Sequence, residues 1–132
     1  MSLFEATFAK NQVAEVSTPA LAYIGDAVYE LHIRMCYLSP PRSVNIYHQL
    51  VVAKVRAENQ AKQLDHLINQ LILTEAESNL VKRGRNAAGS ASRHLDPVIY
   101  QKATGFEALI GYLYLTNRDR LHQIFELIDH EI

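Results

Sequence analysis

The segment Leu21-Ala-Tyr-Ile-Gly-Asp-Ala-Val-Tyr-Glu30 begins the most regular apolar pattern of the chain. From its first residue, apolar side chains recur alternately three and four positions apart, at Leu21, Ile24, Val28, Leu31 and Met35. This spacing places one apolar stripe along an α-helix. Thr18 as N-cap and Pro19 as the first helical residue predict where the helix begins, and the prolines at positions 40 and 41 predict where it ends.

The rest of the sequence has the same helical pattern. Residues 43–71 predict a second helical region that bends near its middle, and Thr74 with Glu77 forms the pattern of a capping box at the start of a third helix. A fourth helix begins at Asp96 and Pro97, and a last one is predicted over residues 118–129. The fourth carries the apolar stripe Ile99, Ala103, Phe106, Ile110 and Leu113. No segment alternates with the period of a β-strand, so the predicted fold class is all-α.

Composition limits both the architecture and the kind of ligand. The chain has 132 residues, and its 13 Lys and Arg against 14 Asp and Glu give a net charge of −1. A chain of this size buries about two-thirds of its unfolded surface, enough for one core without disulfides or a structural metal. We therefore expect a single domain over residues 1–132. The near-zero charge excludes a protein that is basic throughout, so any phosphate-binding surface must be local.

Cellular setting is indicated by what the sequence lacks. The single cysteine, Cys36, cannot form an internal disulfide, and no paired-cysteine motif for zinc or redox chemistry is present. The first residues do not form the basic and apolar regions of a secretory signal. The longest apolar run, residues 108–115, is far shorter than the roughly 20 residues of a membrane helix. We expect a cytoplasmic protein with no membrane role.

Acidic residues stand in unusually apolar surroundings. Asp26 and Glu30 are one turn apart on the first helix, and Glu107 is the only charged residue between Lys102 and Arg118. A solvated helix face or an ion pair with a buried cation would explain them without any chemistry. Metal binding is the other interpretation, because Mg²⁺ prefers oxygen ligands and is typically held by one or two carboxylates together with substrate phosphates. The histidines lack the spacing of a zinc site.

Basic residues are concentrated in one segment. A local charge of +4 comes from four side chains, and two neighbours add hydrogen-bonding groups: Lys82, Arg83, Arg85 and Arg93, with Asn86 and His94. The small residues from Gly84 onward predict a flexible loop, and we place this basic loop at about residues 82–95. A solvated surface loop is one interpretation, and phosphate contact is the other. No aromatic residue lies in the segment, which favours backbone contact with a duplex over base stacking.

Two of these segments resemble a known family. The segment from Leu21 to Glu30 resembles the first ribonuclease III motif around its Leu-Gly-Asp-Ala core, and Phe106-Glu-Ala-Leu-Ile-Gly111 resembles the second. With Lys82-Arg-Gly-Arg-Asn86 between them, the whole chain is similar to the Mini-III ribonucleases (Mini-ribonuclease 3). These are short ribonuclease III-like enzymes that lack a double-stranded-RNA-binding domain. The resemblance therefore implies a helical endonuclease domain and no separate RNA-binding domain.

The resemblance also assigns roles to particular residues. Asp26 corresponds to the metal-binding aspartate of the first motif and Glu107 to the metal-binding glutamate of the second, so both are expected to bind Mg²⁺, which Mn²⁺ could replace. Glu30 and Thr104 are expected to support these ligands from beside them. The residues expected to contact RNA are Lys82, Arg83, Arg85, Asn86, Arg93 and His94.

The family pattern is incomplete at three positions. Pro19, Ala22 and Thr104 stand where ribonuclease III enzymes usually have acidic residues. The first and third of these departures are typical of Mini-III members, so activity is still expected. Fewer charges would hold the metal, which puts occupancy by two metal ions in question.

The implied function is a magnesium-dependent endoribonuclease that cleaves double-stranded RNA and leaves 5′-phosphate ends. The resemblance further implies a symmetric homodimer with the first-motif helix at the interface, and a role in maturation of the large-subunit (23S) ribosomal RNA precursor, with a ribosomal protein as a helper. Two alternatives stay open: a catalytically silent RNA- or ribosome-binding module on the same fold, and a helical interaction domain with no nucleic-acid role. A shared metal requires Asp26 and Glu107 to come within roughly 4–6 Å of each other.

Overall fold

The computed structural model describes residue 3, residues 8–89 and residues 95–128. Within these residues the chain forms helices and no β-strand, which confirms the predicted all-α fold. None of the described helices is long and apolar enough to cross a membrane. The helices are α1 (Lys10–Val13), α2 (Thr18–Cys36), α3 (Val44–Val55), α4 (Ala57–Asn69), α5 (Glu75–Ala87), α6 (Pro97–Thr116) and α7 (Arg118–Ile128).

Side-chain caps fix where the longer helices begin. Thr74 Oγ1 accepts from the Glu77 backbone N–H at 3.1 Å, and Glu77 Oε1 accepts from the Thr74 N–H at 2.9 Å, which confirms the predicted capping box. Asp96 caps α6, as predicted, by accepting from two backbone N–H groups. The prediction for α2 was one residue late, because Ser17 is the N-cap and accepts from the Ala20 N–H at 3.2 Å.

The predicted bend between residues 43 and 71 is a break at Arg56. This residue has φ −59° and ψ 148°, an extended conformation that ends α3 and starts α4. The break leaves backbone carbonyls of α3 without their helical partners. Two side chains from the first turn of α4 donate to them: Asn59 Nδ2 to Lys54 O at 2.7 Å, and Gln60 Nε2 to Val55 O at 3.2 Å.

Two predictions about local structure were wrong. The basic segment is not a loop at its start, because α5 continues through Ala87 and carries Lys82, Arg83, Arg85 and Asn86. A glycine at position 84 is typical of a loop, but Gly84 is buried within α5, where the helix packs against Gly105 of α6. Only Ala88 and Gly89 follow the helix before residues 90–94, which lie outside the described part of the chain and include Arg93 and His94.

The buried face of α2 also differs from the predicted stripe. Its buried residues are Leu21, Ala22, Gly25, Tyr29 and Ile33. Leu31 and Met35, which the apolar spacing placed in the core, are 46% and 65% exposed. The physical reason is that α6 packs against the column of small residues on α2, where the helices can approach most closely. On α6 the prediction held better, since Ala103, Phe106, Ile110 and Leu113 are all buried.

Helix α6 is the centre of the molecule, and a pair of glycines sets its distance from α2. A Cβ atom added at Gly25 would lie 1.8 Å from the carbonyl oxygen of Glu107, and one added at Gly111 would lie 1.9 Å from that of Leu21. The two backbones are therefore in direct contact. Beside this crossing, the rings of Tyr29 and Phe106 pack edge to face with centroids 5.2 Å apart. The crossing brings Asp26, the residue after Gly25, next to Glu107.

Replacing Gly111 by alanine is expected to destabilise the protein by about 3 kcal/mol, because α2 and α6 would have to separate to admit the methyl group. Gly84→Ala is the matched control. Its Cβ would meet Gly105 Cα at 3.0 Å and Ala108 Cβ at 3.1 Å, contacts that a small shift relieves. The free energy of unfolding of Gly84→Ala should stay within about 1 kcal/mol of the wild-type value, since alanine also favours the helix. Urea denaturation measures both, and equal stability of Gly111→Ala and wild type would contradict the tight crossing.

Candidate active site

The crossing of α2 and α6 opens into a pocket of about 420 Å³ at the end of α5. Helix α2 contributes its first turns, α6 contributes one face of its first half, and α5 contributes its C-terminal end. The lining residues are Pro19, Ala22, Tyr23, Asp26, Ala87, Ala88, Tyr100, Thr104 and Glu107. The pocket therefore contains both carboxylates that the sequence singled out, together with all three positions at which the family acids are missing.

The carboxyl groups of Asp26 and Glu107 are in hydrogen-bonding contact. Both side chains line the same pocket, where a shared divalent cation would have to contact both of them. The pKa of Glu107 is raised from 4.5 to about 8, first by burial and then by the hydrogen bond to Asp26 and the repulsion from its charge. Glu107 therefore holds a proton near neutral pH.

Gln60 is the site residue that the sequence did not reveal. It is only 3% exposed, it lies in the first turn of α4, and its side chain hydrogen-bonds to Glu107, which counteracts part of the rise in the Glu107 pKa. A signal was present, since a glutamine next to Ala61 and four residues before Leu64 falls on the buried face of α4. A buried amide needs a partner, but the sequence does not indicate which one.

The donor set fits a hard divalent cation. Two carboxylates are what Mg²⁺ typically takes from a protein, with water and substrate oxygens completing its coordination. Among the described residues, no group of three or more His, Cys, Asp or Glu side chains could hold a metal together. Thr104 adds no charge, and its hydroxyl donates to the Tyr100 carbonyl at 3.0 Å. Pro19 and Ala22 add no ligand atom in their side chains.

Glu30 lies away from this pocket. Its carboxylate pairs with Arg34, one turn further along α2, at 3.0 Å, and both side chains are substantially exposed. Glu30 does not belong to the lining of the pocket. A supporting role for Glu30 stays a prediction, and the structure gives it a surface ion pair instead of a contact with Asp26 or Glu107.

The basic residues of α5 are divided between two surroundings. Lys82, Arg83 and Asn86 are exposed, while the stem of Arg85 packs against Gly105. Arg83 is one turn before Ala87 and lines a neighbouring cleft, not the carboxylate pocket. In that cleft, Arg120 donates two hydrogen bonds of 2.8 Å to the Glu77 carboxylate. Burial alone would raise the pKa of Glu77, but these hydrogen bonds and the charge of Arg120 leave it below its usual value. None of these four α5 side chains lines the carboxylate pocket, which this part of the chain reaches only through Ala87 and Ala88.

The chain is similar to known proteins over most of its length. The family model of the ribonuclease III domain matches residues 19–118. The Mini-ribonuclease 3 of Thermosynechococcus vestitus is 54% identical over 109 residues, which cover 83% of this chain and 71% of the relative. That of Synechocystis sp. is 52% identical over 117 residues, or 89% of this chain and 80% of the relative.

The fold itself has a counterpart among solved structures. A crystal structure of a protein from Fusobacterium nucleatum matches with a TM-score of 0.76 and 31% sequence identity, over 89% of this chain and 93% of that one. The domain match includes both Asp26 and Glu107. The chain therefore belongs to the Mini-ribonuclease 3 family and is an endoribonuclease of the ribonuclease III type.

Proposed function

We propose that this chain is a magnesium-dependent endoribonuclease that cleaves double-stranded RNA, with Asp26 and Glu107 as the metal ligands. The contact between these two carboxyls in an open pocket carries the proposal. Two carboxylates side by side repel each other when both are ionised, and burial of Glu107 makes its ionisation harder still. A divalent cation removes both costs, so the pair is arranged for a positive charge.

Bound Mg²⁺ would stabilise the charge that develops on the scissile phosphodiester and lower the pKa of a water molecule. The chain's part is to orient its two ligands. Gly25 and Gly111 keep the backbones in contact, and this contact fixes the separation of the Asp26 and Glu107 side chains. Near neutral pH, Glu107 must release its proton before both carboxylates can act as ligands.

The substrate surface that we propose extends from the pocket along the last turns of α5. Ala87 and Ala88 line the pocket, and Lys82, Arg83 and Asn86 lie exposed just before them. Exposed cations spaced along a helix suit the phosphates of a nucleic-acid backbone. The preference for a duplex rests on the family resemblance.

A homodimer is the second part of the proposal. Four apolar side chains of α2 and of the residues that follow it are exposed to 46–79%: Tyr23, Leu31, Met35 and Leu38. Large exposed apolar side chains on and just after one helix are typical of an interaction surface. A second copy packed against this helix would cover Leu31, Met35 and Leu38, while Tyr23 lines the pocket, and the two pockets of the dimer would act on the two strands of the RNA.

We also propose that the substrate in the cell is the 23S ribosomal RNA precursor, that cleavage takes place in the cytoplasm, and that a ribosomal protein helps to present the RNA. The family resemblance supports this role. A chain of net charge −1 with a small basic surface has limited electrostatic affinity for RNA, which favours a helper.

Asp26→Asn and Glu107→Gln are each expected to lower the rate of duplex cleavage more than about 100-fold, beyond the loss from changing a residue that only supports a ligand. RNA binding and the fold should be retained. Glu58→Gln, an exposed acid in the first turn of α4, is the matched control and should cleave normally. Cleavage of a long RNA duplex with and without Mg²⁺ measures the effect.

Either variant cutting at the wild-type rate in saturating Mg²⁺ would refute the assignment of ligands. Wild-type protein that binds duplex RNA but never cuts it, in Mg²⁺ or in Mn²⁺, would instead support a silent RNA-binding module.

Without metal, the protein is expected to lose stability as the pH rises. The folded-state pKa of Glu107 is raised from 4.5 to about 8. Its contribution to stability is therefore complete below pH 4.5 and is lost as the pH rises through about 8. Glu107→Gln cannot ionise, so at about pH 9 it should be more stable than wild type by on the order of 2 kcal/mol. Urea denaturation in a chelator at about pH 6 and about pH 9 measures this difference. A difference that does not grow with pH would contradict it.

Lys82→Ala is expected to weaken duplex binding and to reduce the slope of log K against log salt by about 1. The measurement uses the Asp26→Asn background, so that the RNA stays intact. Lys62→Ala, an equally exposed lysine on α4, is the matched control and should leave the slope unchanged. Equal slopes for the two lysine variants would indicate that the basic end of α5 is an ordinary solvated surface that does not contact RNA.

A further inference from the structure

Tyr100 lines the carboxylate pocket at some distance from the carboxyl groups themselves. It lies on α6 in the same column as Thr104 and Glu107, two helical turns before Glu107, which is about 10 Å along the helix axis. A substrate group that contacts Tyr100 therefore belongs to a nucleotide beside the scissile phosphate and not to the reacting phosphate.

The pocket offers few hydrogen-bond donors to a substrate. None of the described residues that line it is a lysine, an arginine or a histidine. The Thr104 hydroxyl already donates to the Tyr100 carbonyl at 3.0 Å. Two phenol hydroxyls remain, those of Tyr23 and Tyr100, and no hydrogen bond within the described part of the chain uses either of them. Tyr23 is 79% exposed, whereas Tyr100 is half-buried, so the position of Tyr100 is the more restricted of the two.

The surroundings of Tyr100 suit a sugar better than a second phosphate. A phosphate anion here would meet no cation from the described lining, so the cost of removing it from water would not be compensated. A phenol hydroxyl both donates and accepts, as a ribose 2′-hydroxyl does, so these two groups can hydrogen-bond to each other. Four small apolar residues of the same lining suit the carbon face of a ribose: Pro19, Ala22, Ala87 and Ala88.

We propose that Tyr100 is a specificity residue whose hydroxyl hydrogen-bonds to the 2′-hydroxyl of a nucleotide beside the scissile phosphate. The 2′-hydroxyl is the group by which a protein distinguishes RNA from DNA at a given position. A neutral phenol makes this contact without adding a charge to the pocket. The inference rests on the proposed function, in which the pocket cleaves an RNA duplex.

The test is single-turnover cleavage, in Mg²⁺, of a short RNA duplex with one cleavage site. In a series of substrates, one ribose at a time beside the scissile phosphate carries 2′-fluoro, which removes the hydroxyl and keeps the RNA-like shape of the sugar. Wild type should lose about 3- to 10-fold in rate at one of these positions, the effect of one hydrogen bond. Tyr100→Phe should lose a similar factor on unmodified duplex and show no further loss at that position, because both changes remove the same contact.

Tyr112→Phe is the matched control. Tyr112 is a half-buried tyrosine of the same helix, and it lines the cleft of Arg83 instead of the carboxylate pocket. This variant should cut unmodified duplex at the wild-type rate and keep the full loss at the 2′-fluoro position.

Two results would overturn the inference while leaving the proposed function intact. One is cleavage of unmodified duplex by Tyr100→Phe at the wild-type rate. The other is a loss in Tyr100→Phe that multiplies with that of 2′-fluoro at every position, including the case in which it is suppressed only by a methylphosphonate at a neighbouring phosphate. Wild-type protein that cuts no RNA duplex would instead refute the proposed function, and the inference with it.

Discussion

The backbone contact at Gly25 and Gly111 is the constraint on which the rest of the structure depends. No side chain larger than a hydrogen atom fits at either position, because the added Cβ would lie within 2 Å of a carbonyl oxygen of the facing helix. The same contact serves the core and the site. It brings Tyr29 and Phe106 together on one side, and it brings Asp26 and Glu107 together on the other. Stability and function thus rest on one helix crossing.

The two roles of this crossing conflict electrostatically. Packing favours the closest approach of α2 and α6, but burial of Glu107 and then its closeness to Asp26 raise the pKa of Glu107. Without a cation, a proton on Glu107 removes the repulsion near neutral pH. The buried amide of Gln60, in the first turn of α4, opposes part of this rise in the pKa of Glu107. The metal-free site is therefore destabilising in a way that a bound cation would reverse.

The sequence predicted the helices well and the faces that they bury less well. Capping residues act locally, which is why Thr74, Asp96 and Pro97 indicated helix starts correctly. Burial on α2 depends on which column the neighbouring helix covers, and apolar spacing favoured Leu31 and Met35 over Gly25. Similarly, the small residues from Gly84 onward predict a loop, whereas Gly84 lies where α5 packs against α6. Asp26 and Glu107 can be recognised in the sequence as acids in apolar surroundings. The position of Gln60 near Glu107 depends on how α4 packs, which the sequence does not show.

The neutral side chains that line the pocket limit the repulsion between carboxylates. Pro19, Ala22 and Thr104 line it at positions where ribonuclease III enzymes usually carry acids. Each further carboxylate at this distance would raise the pKa of Glu107 again, since like charges disfavour ionisation. Two carboxylates, in contrast, balance the charge of one divalent cation. Under the proposed function, the neutral residues at these positions suit the pocket to a single divalent ion, and the end of α5 adds positive charge for an RNA backbone.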